Sequence, residues 1–233
     1  YGAALIQKKT GIPFSFTGHS LGAQKLDKMG TTADNWLSME KRFKFSKRLA
    51  AERISMKYAT KVMVSTKQER DEQYAHPLYR IALDQIDETK FEVIPPGVNE
   101  KIFSQTATRT DDKLKQKLDN IFGSNGGPAI LVSSRLDEKK NIIGVVQAYL
   151  EDTFLTEKSH LVLCFRGINN PATDIHKLSK EEQTVLQKIL KIIEHGHIQK
   201  HVYFLNIGSQ LELAATYRYF AQRGSVFALT SLY

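Results

Sequence analysis

Residues 18–22 read GHSLG, the G-x-S-x-G spacing in which a serine hydrolase presents its nucleophile on a tight turn between a strand and a helix. Ser20 is therefore a candidate nucleophile, and FSFT at 14–17 supplies the strand such a turn needs. Asp, Glu and His are plentiful downstream, so a possible triad partner decides little. The residues after the motif argue against the hydrolase: beyond a polar excursion comes a long basic helical pattern, where a hydrolase packs small residues directly behind its nucleophile. A second group of residues suits different chemistry. SSRLDEKKN at 133–141 comes after an apolar strand and sets Arg135, Lys139 and Lys140 just before a helix that begins near Asn141. Cationic side chains beside the unpaired N–H groups of a helix start act in one direction on a diphosphate. The alternative is a solvated charged turn. Arg48 and Glu52, four residues apart, form either an exposed ion-pair edge or the wall of a polar cleft that needs a cation. Cys164 is the single cysteine and sits in the apolar run HLVLCF, which reads as a buried thiol and leaves no disulfide framework or cysteine metal cluster.

The elements that must position these groups are legible from periodicity. Strands are expected at 14–17, 61–65, 91–94, 129–134, 160–165, 201–205 and 225–230. Between them, Ser179 with Glu182, Ser209 with Glu212 and Thr66 with Glu69 have capping-box spacing, and Gly123, Gly196 and Gly224 stand where helix C-caps belong. Residues 34–59 read as one long interior helix with two apolar stripes, Trp36, Met39, Phe43, Ala50, Ile54 and Tyr58 on one and Phe45, Leu49 and Met56 on the other. A further helix starts at Asp111, with Leu114, Leu118 and Phe122 on one face. From Ala129 onward strands and helices alternate, the signature of a parallel sheet wound by helices. Its ligands belong in the loops after the strands, here SRLDEKKN, RGINNP, LNIGSQ and TSLY. No G-x-G-x-x-G comes after any strand, which counts against a dinucleotide fingerprint. IPPGVNEKIF and then SQTATRTDD read as a connector, so the half-domains are expected to join near Phe103, as 1–103 and 104–233.

With 41% hydrophobic and 25% charged residues among 233, the composition is globular. No apolar run approaches the roughly 20 residues of a membrane span, and YGAALIQKK lacks signal-peptide order. A cytoplasmic protein is expected. The net charge of +8 favours anionic partners. A nucleic-acid module would use the same charge but calls for basic residues interleaved with aromatics on one exposed face; the notable cations here are at loop ends.

Taken together and in order, TGHSLGAQKL, RFKFSKRLAAERISMKYATKVMVSTKQERDEQY, VIPPGVN and SSRLDEKKN resemble the sucrose-phosphate synthases and related retaining glycosyltransferases of GT-B fold. TGHSLG with Lys25 after it is closer to that family than to the sucrose synthases, whereas SRLDEKKN is shared across the superfamily. The resemblance implies an α/β protein with parts of two Rossmann-like domains whose parallel sheets face a cleft, and the odd ends of the chain then read as those of an internal fragment incomplete for activity. It assigns His19 to the donor sugar near the reacting centre. Ser20, Lys25 and Arg48 go to the phosphate of fructose 6-phosphate, and Arg135 and Lys140 to the diphosphate of UDP-glucose. Ile207 goes to the uracil, and Gly97 to a hinge where an absent side chain permits close approach. The implied reaction moves glucose to fructose 6-phosphate with retention and needs no metal or other cofactor. A mannosylfructose-phosphate synthase, another nucleotide-sugar transferase and an inactive regulatory homologue are the alternatives.

Overall fold

The computed structural model of the chain describes residues 1–83, 88–123 and 126–232; Tyr233, the end of the TSLY loop, lies outside them. The chain divides into two compact units, Tyr1–Gly97 and Val98–Tyr233. Among the described residues no helix is long and apolar enough to cross a membrane.

The first unit is a three-stranded parallel sheet in the order β1-β2-β3, with β1 Ser15–Thr17, β2 Lys61–Val64 and β3 Phe91–Val93. Helix α1, Gly2–Thr10, precedes it; α2, Gly22–Lys28, α3, Trp36–Phe43, and α4, Phe45–Tyr58, connect β1 to β2. A π-helical turn, Glu69–Tyr74, comes after β2; ahead of it Thr66 accepts from the Glu69 N–H at 3.0 Å, and the Glu69 carboxylate accepts from the Ser65 N–H at 2.6 Å. The long helix expected over 34–59 is broken. Lys44 takes the left-handed conformation, φ 54°, as C-cap of α3 and N-cap of α4. The break turns Phe45 into the core with Leu49 and Met56, while Ala50 and Tyr58 of the other stripe are exposed. So α4 buries one face only, against Leu21, Val62 and Val64.

In the second unit α5, Arg109–Phe122, leads into β4, Ala129–Ser133. Next come α6, Ile142–Glu151, α7, Thr153–Lys158, β5, His160–Phe165, α8, Pro171–Asp174, α9, Lys180–His195, β6, Val202–Asn206, α10, Gln210–Ala221, and β7, Val226–Phe227. All strand pairs are parallel, in the order β6-β5-β4-β7. The two-residue period of β5 sorts its side chains: Leu161, Leu163 and Phe165 enter one core with α6 and α9, and Val162 and Cys164 enter the other with α5 and α10. This is a doubly wound sheet, apolar on both faces.

The caps show which sequence signals had a physical basis. Ser179 and Glu182 form a full capping box. Ser209 accepts from the Glu212 N–H, but the Glu212 carboxylate reaches past it to the Gly208 N–H at 2.7 Å. Thr108 and Asp111 make a further box, so α5 starts one turn ahead of its periodic leucines. Gly123 has the expected positive φ, and Gly224 has it too but lies beyond the end of α10. Gly196 does not: its φ is −80°, and His197 takes the left-handed residue instead. A Cβ there would come to 2.4 Å from the Leu150 side chain, which would have to move aside.

Candidate functional site

Each unit carries its own cluster of candidate residues on the loop that leaves a strand. In the first unit, the turn from β1 to α2 is held by side chains from other elements. The Gly18 N–H donates to the buried Tyr74 hydroxyl at 2.9 Å, and the Ala23 N–H donates to the Tyr79 hydroxyl at 3.0 Å. Between them, the Gly22 N–H donates to both oxygens of Glu52, at 3.0 Å each. Burial raises the Tyr74 phenol to about 12. It raises the Tyr79 phenol further, with help from the bond that this hydroxyl donates to Glu52, so both stay neutral over the physiological range.

These bonds shape what the turn presents. Gly18 is buried, while the next two residues, His19 and Ser20, are exposed. Arg48, from α4, donates through Nε to Glu52 at 2.9 Å and through its terminal nitrogen to the Ser20 carbonyl. The Arg48–Glu52 pair is therefore not the exposed edge that spacing alone permits; the Glu52 side chain is only 12% accessible. Lys25, half-buried on α2, sets its ammonium 4.3 Å from the centre of the Phe43 ring, a cation–π contact that fixes a flexible side chain. Ser20 has no hydrogen-bonded base: among the described residues neither a histidine nor a carboxylate bonds its hydroxyl. With the first two N–H groups of α2 already taken by Glu52 and Tyr79, an anion here would be met by side chains rather than by the helix end. Gly97 gives no sign of close approach within its unit, as a Cβ there would meet nothing within 4 Å.

In the second unit the strand order reverses beside β4, whose neighbours are β5, leading away in sequence, and β7, on the opposite edge. That reversal opens a crevice at the carboxyl ends of the strands. A cavity of about 390 Å³ lies there, lined by Arg135, Cys164, Arg166, Glu182, Ile207 and Gly208 among others. The structure thus brings Arg135 and Ile207 to one site. Arg135 is exposed and no hydrogen bond or ion pair holds its guanidinium among the described residues. Ile207 is buried with its N–H donated to the Phe165 carbonyl at 3.3 Å, so this residue and the neighbouring Gly208 line the cavity while that amide is already used. Lys140 is not on the cavity wall. It ends a 3-10 turn, Glu138–Lys140, and its ammonium donates to Ser231 Oγ at 3.2 Å. Thr230 returns a bond to the Lys140 carbonyl and Leu232 one to Lys139, which ties the loop after β7 to the basic turn. The next helix begins at Ile142 with Asn141, φ 50°, as N-cap.

Sequence reasoning missed Glu52 as the centre of the first cluster, together with Tyr74 and Tyr79. The only signal for Glu52 is its spacing from Arg48. Nothing local marks the tyrosines, which come from more than fifty residues away in sequence. Cys164 is buried and its thiol is pushed up to about 12 by that burial, the inert reading that its apolar run suggests. Although it lies along the cavity, its peptide should remain unalkylated by iodoacetamide at pH 8 in the native protein and label fully in denaturant; mass spectrometry of that peptide reads both. Rapid native labelling would contradict the burial.

No family model matches the chain. Over 230 residues, 99% of its length, it is 39% identical to a probable sucrose-phosphate synthase of Thermosipho melanesiensis. Across nearly its whole length the chain is thus similar to a sucrose-phosphate synthase. It spans 47% of that relative's length. A solved sucrose-phosphate synthase from Thermosynechococcus elongatus superposes with a TM-score of 0.60 at 18% identity, over 99% of this chain and 47% of that one. A UDP-forming trehalose-phosphate synthase from Burkholderia xenovorans, in complex with glucose-6-phosphate, reaches 0.61 at 13% identity, over 98% of this chain and 50% of that one. At those identities the two structures speak for the fold, which is the GT-B fold of glycosyltransferases. Sucrose-phosphate synthases are sugar-nucleotide glycosyltransferases, and the two parallel sheets described above suit that fold.

Proposed function

We propose that this chain carries the acceptor side, in its first unit, and the donor side, in its second, of an enzyme that moves glucose from UDP-glucose to fructose 6-phosphate, giving sucrose 6-phosphate with retention. The observation that carries the reading is the cavity at the strand-order reversal, lined by Arg135, unpartnered among the described residues, and by Ile207. Such a crevice takes a nucleotide, and a free guanidinium along it takes the diphosphate. The names of the relatives agree: one is UDP-forming and is seen with a hexose phosphate.

On this reading the acceptor phosphate meets Lys25, Arg48 and the Ser20 hydroxyl, and His19 orients the donor sugar. The acceptor hydroxyl attacks the anomeric carbon from the face that UDP leaves. Its C–O bond forms as the bond to the diphosphate oxygen breaks, and the hydroxyl proton passes to that departing oxygen. No protein nucleophile is needed, so Ser20 binds rather than attacks. The charge that accumulates on UDP is stabilised by Arg135, from the cavity wall, and by Lys140, whose ammonium is held beside it at Ser231, cations that do the work a metal could otherwise do.

The test is to assay the protein that carries this chain with a panel of UDP-, ADP- and GDP-sugars and fructose 6-phosphate, and to identify the product and its anomeric configuration. Sucrose 6-phosphate formed with retention from UDP-glucose is the expected result. Transfer of another hexose would identify a related synthase, and absence of turnover with every pair would favour a regulatory homologue.

A further inference from the structure

We infer that Glu52 is the positioning residue of the acceptor side, setting the backbone of the GHSLG turn and the guanidinium of Arg48 in one geometry. The inference rests on the proposed function for what that geometry serves, but not for the anchoring itself. A carboxylate is out of place where a phosphate is to bind, since a like charge repels the ligand. Here it is spent on the protein. Both oxygens take the Gly22 N–H, one takes Arg48 Nε and the other takes the Tyr79 hydroxyl. Each partner reaches back to the same turn, because Arg48 holds the Ser20 carbonyl and Tyr79 receives the Ala23 N–H. Space is matched as closely as charge. A Cβ on Gly22 would sit 3.0 Å from Glu52 and 3.1 Å from Arg48 Cδ, so the glycine of the motif is what lets the two side chains lie under the turn. With Nε and one terminal nitrogen engaged, the outer edge of the Arg48 fork is left for the ligand, aimed by bonds that do not depend on it.

The experiment is Glu52→Gln in the protein that carries this chain, beside Arg48→Gln and the double variant. Gln keeps the shape and one acceptor but replaces the other oxygen with a donor that cannot pair with Arg48. Glu52→Gln should raise KM for fructose 6-phosphate roughly tenfold while KM for UDP-glucose holds, and the double variant should be no worse than Arg48→Gln alone, as coupled residues behave. Equal loss for both substrates, or losses that multiply in the double variant, would overturn the inference. Amide hydrogen exchange gives a readout independent of substrate: the peptide spanning 18–23 should exchange faster in Glu52→Gln. If exchange there is unchanged, the anchoring is wrong whatever the enzyme transfers. If exchange speeds up and fructose 6-phosphate is not an acceptor, the anchoring stands and the choice of substrate falls.

Discussion

Arg135→Ala should lower kcat by roughly a hundredfold, the lower end of the loss seen when one group that stabilises developing charge is removed, because no bond among the described residues holds this guanidinium in advance. The guanidinium is exposed on the wall of the cavity and bonds nothing among the described residues of its own unit, so its removal leaves no buried group unpaired and should leave the thermal midpoint unchanged. That separates it from a folding effect. Because charge on the diphosphate grows as the sugar leaves, the deficit should appear mainly in kcat and less in KM for the nucleotide sugar. Arg135→Lys should recover part of it, since a point charge stays but the bidentate fork is lost. Lys140→Ala should fall in the same direction. There the ammonium is already bonded to Ser231, so the substitution also loosens the tie to the loop after β7. Turnover unchanged in both variants, with the enzyme otherwise active on its sugar nucleotide, would remove the pair from the donor site.

What the sequence made legible divides along physical lines. The alternation of strands and helices from Ala129 onward needs only local periodicity, and all seven strands are present within one or two residues of their expected bounds except the last, which is confined to Val226–Phe227. The single helix expected over 34–59 fails for a reason equally local: apolar residues on two stripes look like an interior helix, and nothing in a lysine announces a left-handed break. Gly196 shows the reverse error, a glycine credited with conformational freedom whose φ is ordinary and whose missing Cβ instead leaves room for the Leu150 side chain. In the site, charge and motif pointed to Arg135 and Arg48, but not to what holds Arg48. Glu52 is visible only as a spacing, and Tyr74 and Tyr79 are brought to the GHSLG turn by tertiary structure alone. Motifs name the groups that face a ligand; the groups that aim them are scattered along the chain.

Arg218 shows the same division in the second unit, and its removal should be the most costly to stability. The guanidinium donates through Nε and a terminal nitrogen to both oxygens of Asp111, at 2.6 and 2.8 Å. Its other terminal nitrogen donates to the carbonyls of Ile102 and Ser104, at 3.2 and 2.9 Å. Asp111 also closes the Thr108 capping box. One arginine on α10 thus fastens the start of α5 and the segment before it, in the stretch where the second unit begins at Val98 and the sequence suggests a join near Phe103. With side chains 11% and 15% accessible, the pair is nearly buried, and Arg218→Ala should cost about 3 kcal/mol, because Asp111 is left charged and unpaired. The Arg218 bond, foremost, holds the Asp111 carboxyl well below its ordinary value of 3.8. A depressed carboxylate contributes stability that is complete above the unfolded value and is lost as pH falls through the folded one. The gap between wild type and Arg218→Ala in urea unfolding should therefore be full at pH 7 and narrow progressively below about pH 4. A gap that stayed constant down to pH 2 would mean that the carboxylate contributes little, and that the two carbonyl bonds alone carry what Arg218 does.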